Sequence, residues 1–230
     1  MQKTVMITGA NGNLGTAVVK KFLEEEYKVI AVDTSANHLA FAIHNPAFEL
    51  LNIDLSDESI TEVVILEAIQ KFKKIDAAIF LAGGFAMGNI KQTKASQIKE
   101  MISLNFDTAY HAARPVFEHM LQNGYGRIVF VGARPALKSE DGKNMIAYAL
   151  SKSLLFKLAE ILNETARGKN IVASVIVPST IDTPANRTSI PKADPANWVS
   201  KEQIAETLSF ICSDKGMALR ESVFKLYNNA

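Results

Sequence analysis

Short unbroken apolar runs alternate along this chain with longer stretches in which apolar residues recur every three or four positions. The runs Val5 to Thr8, Val29 to Asp33, Leu50 to Asp54, Ala77 to Leu81, Ile128 to Val131, Ile171 to Val177 and Val223 to Leu226 predict strands. Helical spacing predicts helices over Leu14 to Glu25, Ser59 to Phe72, Ser96 to Leu121, Met145 to Ala166 and Lys201 to Ser213, with a weaker pattern at His38 to Ile43. Regular alternation of this kind predicts βαβ units: an α/β chain with a doubly wound parallel sheet of about seven strands and helices on both faces. Ser56 to Ser59, with acidic Asp57 and Glu58 between, reads as the cap region of the second helix.

One stretch resists both periods. From Pro178 to Val199 the chain reads "PSTIDTPANRTSIPKADPANWV", with four prolines and the only tryptophan, and a loop this long in a compact domain is expected to act as a substrate lid. The 230 residues, 48% of them hydrophobic, suffice for one sizeable core, so a single domain over 1–230 is expected. A net charge of +1, from 25 basic and 24 acidic side chains, gives no footprint for nucleic acid or an anionic membrane and favours a small-molecule partner. Cys212 is the only cysteine and reads as core filler in a reducing compartment, with no companions at metal-site spacing. The first residues read as strand rather than leader and no apolar run is long enough to span a bilayer, so a cytoplasmic location is expected.

Candidate chemistry begins at "TVMITGANGNLGTAVVKKF". Three glycines, Gly9, Gly12 and Gly15, join a strand to a helix, which suits a tight turn, a close approach of backbone to a pyrophosphate, and close helix–sheet packing. The turn residues Gly9, Asn11, Gly12, Asn13, Leu14 and Gly15 are therefore candidate cofactor contacts, with the helix N-terminus offering unpaired N–H groups. Asp33 ends the second strand where an acidic residue binds ribose hydroxyls in a Rossmann-like site. Thr34, Ser35 and Ala36 supply no cation for a 2′-phosphate, so NAD(H) is favoured over NADP(H). Further on, "AYALSKSLLFKLAE" puts Tyr148 and Lys152 on one helix face, where a cation beside the phenol is expected to lower its pKa for proton transfer. As an isolated pair this spacing marks no more than a surface helix; its place after the fifth strand gives it meaning.

Over essentially its whole length the chain resembles the short-chain dehydrogenase/reductase family. The resemblance rests on "TGANGNLG", Asp33, "NIDLSD", "LAGG", "SLNF", "YALSK" and "PSTIDTP", in that order. It implies that Asp54 and Leu55 lie near the adenine and that Ala82, Gly83 and Gly84 line the cofactor cleft. It further implies that Lys152 also holds the nicotinamide ribose, and that Ile181 and Thr183, in the segment opened by Pro178, contact the carboxamide. Asn105, a poor helix former within a helical stretch, falls where the family interrupts its helix and holds a water in a proton relay; the bland alternative is a solvated face.

Three departures narrow the resemblance. Asn13 stands at the family's middle glycine with Gly12 one place earlier, "LAGG" lacks the leading asparagines, and "IVFVGARPAL" puts Gly132 and Ala133 where the catalytic serine belongs. Ser139 could replace that serine only if its loop folded back. Losing an oxyanion donor typically costs about 10² to 10³ in rate, which makes ordinary ketone chemistry less suited to the site. The dihydropteridine reductase branch shares the glycine spacing, the missing serine, "AGGFAMGN" and "DTPANRTSIPKADPANW". That branch implies NADH-dependent reduction of a quinonoid dihydropterin or similar flat conjugated substrate, with Tyr148 giving or relaying a proton. Phe85 and Trp198 are candidates to stack on the heterocycle, against a packing role for both, and Asn186 and Arg187 to add polar contacts. The alternatives are a carbonyl reductase or alcohol dehydrogenase using Ser139, and a non-catalytic NAD(H) sensor. Apolar positions Met101, Leu104, Phe117, Met120, Leu150, Leu154, Leu158 and Leu162 exceed what one sheet face needs, and with the family's habit predict a homodimer through the 96–121 and 145–166 helices, with a tetramer left open.

Overall fold

A computed structural model describes residues 2–229. Its strands are β1 (Thr4–Thr8), β2 (Lys28–Asp33), β3 (Phe48–Asn52), β4 (Ala77–Phe80), β5 (Tyr125–Val131), β6 (Asn170–Pro178) and β7 (Val223–Leu226). Its helices are α1 (Asn13–Glu24), α2 (Glu58–Phe72), α3 (Ala95–Ile102), α4 (Thr108–Asn123), α5 (Arg134–Leu137), α6 (Ser139–Gly142), α7 (Ile146–Thr165), α8 (Pro184–Ser189) and α9 (Lys201–Cys212). All seven strands form one parallel sheet in the order β3-β2-β1-β4-β5-β6-β7. This is the doubly wound, Rossmann-like arrangement expected from the alternation of runs, and its order reverses between β1 and β4.

The period-two geometry of a strand divides each apolar run between two cores. In β1, Val5 and Ile7 join one cluster with Val18, Phe22, Ile204 and Leu208 of α1 and α9. Met6, between them, joins the other with Ile65, Val116 and Leu155 of α2, α4 and α7. Every residue of β1 and β4 is buried, which is why their sequences read as unbroken runs. Cys212 is likewise buried, and burial pushes its thiol up to about 12, so it behaves as an apolar side chain.

Several boundaries differ from the sequence expectation for local reasons. β3 stops at Asn52 rather than Asp54, because Asp54 Oδ1 accepts the Ser56 N–H (2.9 Å) and turns the chain. The cap of α2 is Asp57, inside the expected cap region; its carboxylate accepts the Ile60 N–H at 3.0 Å. Residues 38–43 form successive turns rather than a helix, with Leu39 N–H bonded to Ala36 and Ala42 N–H to Leu39. The single helix expected over 96–121 is three pieces, since a π-helical turn over Ser103–Asp107 separates α3 from α4. The 178–199 stretch is not structureless. It contains α8 and a 3₁₀ turn over Pro195–Asn197, and a bridge between Ile181 and Val199 joins its ends.

The apolar surplus is also smaller than expected. Met101, Phe117, Met120 and Leu158 are buried in the chain's own core, and Leu162 packs partly against it. Leu104, Leu150 and Leu154 stay exposed, joined by Tyr110 and Ile161. Among the described residues no helix is long and apolar enough to cross a membrane, and no cluster of metal-ligating side chains occurs.

The three glycines of the first turn are not equivalent. A Cβ at Gly15 would lie 2.1 Å from the Gly9 carbonyl oxygen and 2.7 Å from the Ala10 carbonyl carbon, whereas a Cβ at Gly12 would meet only the Gly9 oxygen, at 3.2 Å. Gly15→Ala should therefore destabilise the chain by about 2–4 kcal/mol and Gly12→Ala by about 1 kcal/mol or less, as read from urea denaturation. Equal losses in the two variants would contradict this account of the turn.

Candidate active site at the carboxyl edge of the sheet

At the carboxyl end of β1 the chain must turn at once into α1. Gly9 does so with φ of 64°, in the left-handed region, and a Cβ there would strike the Ala82 backbone nitrogen at 2.7 Å. Thr8 Oγ1 draws the same two segments together, accepting the N–H groups of Leu81 (3.2 Å) and Ala82 (3.4 Å). Gly12 is the N-cap of α1 and contributes no side-chain cap, so no cap side chain satisfies the first-turn N–H groups. At the tip of β2, Asp33 Oδ2 accepts the Asn11 N–H at 3.0 Å. Glycine turn, uncapped helix start and Asp33 carboxylate thus lie along one edge, and that set fits a dinucleotide: backbone donors for a pyrophosphate, a carboxylate for ribose hydroxyls. Leu55 is buried in the core and Asp54 is exposed, its carboxyl held below the usual range by the Ser56 N–H.

On the other side of the switch point, α7 carries Tyr148 and Lys152. Lys152 is 5% exposed, and its Nζ donates to the Val131 carbonyl at 2.9 Å. Asn105 is fully buried within the π-helical turn, and its side-chain amide is spent on the protein itself. Its Oδ1 accepts the Gly84 N–H (3.0 Å), while Nδ2 donates to the Gly84 carbonyl (3.1 Å) and to Ser151 Oγ (3.1 Å). Ser151 in turn donates to the Tyr148 carbonyl (2.9 Å). Asn105 therefore does interrupt the helix, and the bland reading of a solvated face is excluded by its burial. A Cβ on Gly83 would fall 2.4 Å from Asn105 Oδ1 and 3.3 Å from Lys152 Nζ, so the 82–84 segment lies directly against this group.

The electrostatics differ from the sequence expectation. Burial raises the Tyr148 phenol to about 12 and lowers the Lys152 amine to about 8. Desolvation is the cause in both cases, so Lys152 does not lower the phenol here; its amine is directed to the Val131 carbonyl instead. A phenol with a raised pKa is fully protonated at neutral pH, the state required of a proton donor.

The two positions of the missing serine differ. A Cβ on Gly132 would run into Phe156 (2.6 Å) and Val175 (2.8 Å), and Ala133 is buried. Ser139 begins α6 on the exposed surface. Phe85, 60% exposed, stands edge-on to the Tyr148 ring with centroids 5.0 Å apart. Trp198 is 6% exposed, as in the packing alternative, so of the two aromatic candidates Phe85 alone presents an open ring. Thr183 caps α8 by accepting the Asn186 N–H (3.2 Å), Asn186 Nδ2 donates to the Ile181 carbonyl (2.8 Å), and Arg187 is paired with Asp182. Those loop side chains are engaged with each other, and Pro178 is buried at the end of β6. Sequence reading missed two participants. Ser151 carried a usable signal, three residues after Tyr148 on the same helix face; His38, which meets the glycine turn, carried none.

The chain is similar to known proteins over most of its length. A curated dihydropteridine reductase from Dictyostelium discoideum is 29% identical over 211 residues, covering 90% of this chain and 87% of that protein. An acetoacetyl-CoA reductase from Acinetobacter sp. is 25% identical over 230 residues, covering 94% and 92%. The solved structure of ElxO with NADP bound superposes with a TM-score of 0.90 at 20% identity, covering 98% of this chain and 97% of that one, and so shares the fold. The model of the short chain dehydrogenase family matches residues 3–194, and the chain belongs to that family.

Proposed function

We propose that this NAD(P)-dependent oxidoreductase uses NADH to reduce a flat conjugated substrate of the quinonoid dihydropterin kind. The observation that carries the reading is the composition of the proton-donor site: a protonated, half-buried phenol faced by an exposed aromatic ring, with Gly132 and Ala133 supplying no hydroxyl beside it. A forming alkoxide needs a second donor beside the tyrosine, whereas a ring nitrogen that gains a proton while the ring system gains hydride does not. The Dictyostelium relative named dihydropteridine reductase supports the substrate class, and Asp33, with no cation in Thr34, Ser35 or Ala36, supports NADH.

When bound, the reduced nicotinamide supplies the hydride. Gly9, Gly12, Asn13, Leu14 and Gly15 would hold its pyrophosphate, Asp33 the adenosine ribose, and Lys152 the nicotinamide ribose. Tyr148 gives its phenolic proton to the substrate, and Phe85 offers a face or edge to the ring. Asn105 acts at one remove: by gripping both polar groups of Gly84 and the Ser151 hydroxyl, it fixes the 82–85 segment against the tyrosine. The segment's far end is fixed too, since Gly88 donates to the Asn144 carbonyl (2.8 Å) and accepts the Ile146 N–H (3.0 Å) at the start of α7. The 178–199 segment is the lid on the substrate side. The exposed face with Leu104, Leu150, Leu154 and Ile161, beside a groove of about 200 Å³ between α4 and α7, takes a second copy of the chain.

Two outcomes follow. Oxidation of NADH should proceed with quinonoid dihydropterin and not with a panel of ketones, and Tyr148→Phe should cut kcat by about 10² or more while leaving NADH affinity within about twofold. Ketone turnover that disappears in Ser139→Ala would instead favour the carbonyl reductase reading, and tight NADH binding without turnover the sensor. The second outcome concerns Lys152. Its amine carries a proton less readily in the folded chain (about 8) than at its ordinary 10.5, so between those values the unfolded chain binds more protons and stability from this group rises with pH. Wild type should therefore gain about 2–3 kcal/mol on Lys152→Met as pH climbs from 7 to 10.5, as read from urea melts. A difference independent of pH would mean that the amine titrates normally.

A further inference from the structure

Between Gly84 and Asn105 the chain closes on itself. Asn105 grips both polar groups of Gly84, and a Cβ on Gly84 would lie 3.1 Å from Leu104 Cδ1 and 3.8 Å from Met101 Cε. Beyond Phe85 and Gly88 the chain reverses through a turn built on Asn89 and enters α3 at Ala95. The Asn89 carbonyl accepts the N–H groups of Gln92 (3.0 Å) and Thr93 (2.9 Å), and its Oδ1 accepts that of Lys91 (3.0 Å). Gly88 clips this loop to α7: it pairs with Met145, donating to the Asn144 carbonyl (2.8 Å) and accepting the Ile146 N–H (3.0 Å). Its φ is 154°, a conformation L side chains rarely adopt, and a Cβ there would meet Thr93 Oγ1 at 2.7 Å. Both features demand glycine.

We propose that Gly88 is the positioning residue that aims the Phe85 ring at Tyr148, an inference resting on the reading of Tyr148 as proton donor to a flat substrate. Phe85 is 60% exposed, and its ring meets that of Tyr148 at 72° with centroids 5.0 Å apart. A side chain with so little packed against it takes its direction from its backbone. That backbone is held at Gly84 by Asn105 and, three residues beyond Phe85, at Gly88. The second hold does what the first does not. Met145 is the N-cap of α7, three residues before Tyr148, so Gly88 ties the aromatic wall to the helix that carries the acid. Both bonds run backbone to backbone, and no rotamer intervenes. Phe85 and Tyr148 therefore form a corner whose angle is set before substrate arrives, and a planar ring lying against Phe85 meets the phenol in one orientation.

The full chain is tested as wild type, Gly88→Ala, Phe85→Ala and the double variant. NADH oxidation is followed with quinonoid dihydropterin, NADH affinity by cofactor fluorescence, and folding by thermal melts. Gly88→Ala should lower kcat/KM by about tenfold and leave the NADH dissociation constant within about twofold. Phe85→Ala should lower kcat/KM by about as much, and adding Gly88→Ala to it should cost less than about a further twofold, since no ring is left to aim. A purely structural role for Gly88 gives the same tenfold loss in both backgrounds; that additivity overturns the inference, as does an unchanged kcat/KM in Gly88→Ala. Should Gly88→Ala fail to fold, Asn89→Gly, which loosens the turn behind Gly88 by removing the bond to Lys91, decides through the same cycle with Phe85→Ala. A wild-type chain that binds NADH but leaves quinonoid dihydropterin unreduced overturns the substrate reading itself and the inference with it.

Discussion

Gly15 packs so closely on the carbonyl of Gly9 that a single added carbon would come within 2.1 Å of the oxygen. That approach brings the first turn of α1 onto the end of β1 and leaves the uncapped N–H groups of the helix facing the switch point between β1 and β4. The rest of the site is registered to it. Thr8 ties β1 to the 81–82 segment, Gly9 abuts Ala82, Gly83 abuts Asn105 and Lys152, and Asn105 reaches through Ser151 to the backbone of Tyr148. A chain of backbone-scale contacts therefore sets the distance between the end that can hold phosphates and the end that can move a proton.

The chemistry at the far end is governed by burial rather than by pairing. Both titratable groups of α7 lose solvation, which holds the phenol neutral and weakens the amine's hold on its proton. The Lys152 amine is satisfied by the Val131 carbonyl, at the end of the strand that leads into Gly132. At the same strand end Phe156 and Val175 fill the space a side chain at Gly132 would occupy, and Ala133 supplies no hydroxyl. What the site has gained is an aromatic ring, Phe85, on a segment gripped at Gly84 by Asn105 and at Gly88 by the start of α7. A rigid aromatic wall suits a planar substrate as a fixed hydroxyl suits a ketone.

The periodic parts of the architecture were legible in the residues. Seven apolar runs gave seven strands and the five main helical patterns gave helical segments, because burial on two faces or along one stripe writes itself into sequence at fixed intervals. The glycine turn, Asp33 and the Tyr148–Lys152 pair were legible as well, since each depends on residues a few positions apart or on a position next to a strand end. Boundaries failed where a side chain stopped an element, as Asp54 and Asp57 do between β3 and α2.

Tertiary structure alone decided the long-range matters. Asn105 to Gly84 spans 21 residues and Asn11 to His38 spans 27, and neither contact leaves a period that a sequence can display. Packing likewise chose which apolar positions of α3, α4 and α7 are core, sending Phe117 and Leu158 inward while leaving Leu150 and Ile161 in solvent. It also buried Trp198 and left Phe85 open. The sequence by itself determined the order of elements and the residue types at the cleft, because local hydrogen bonding and side-chain period set those. The folded chain decided how those residues are paired, solvated and charged, because these depend on which distant segments come to lie against them.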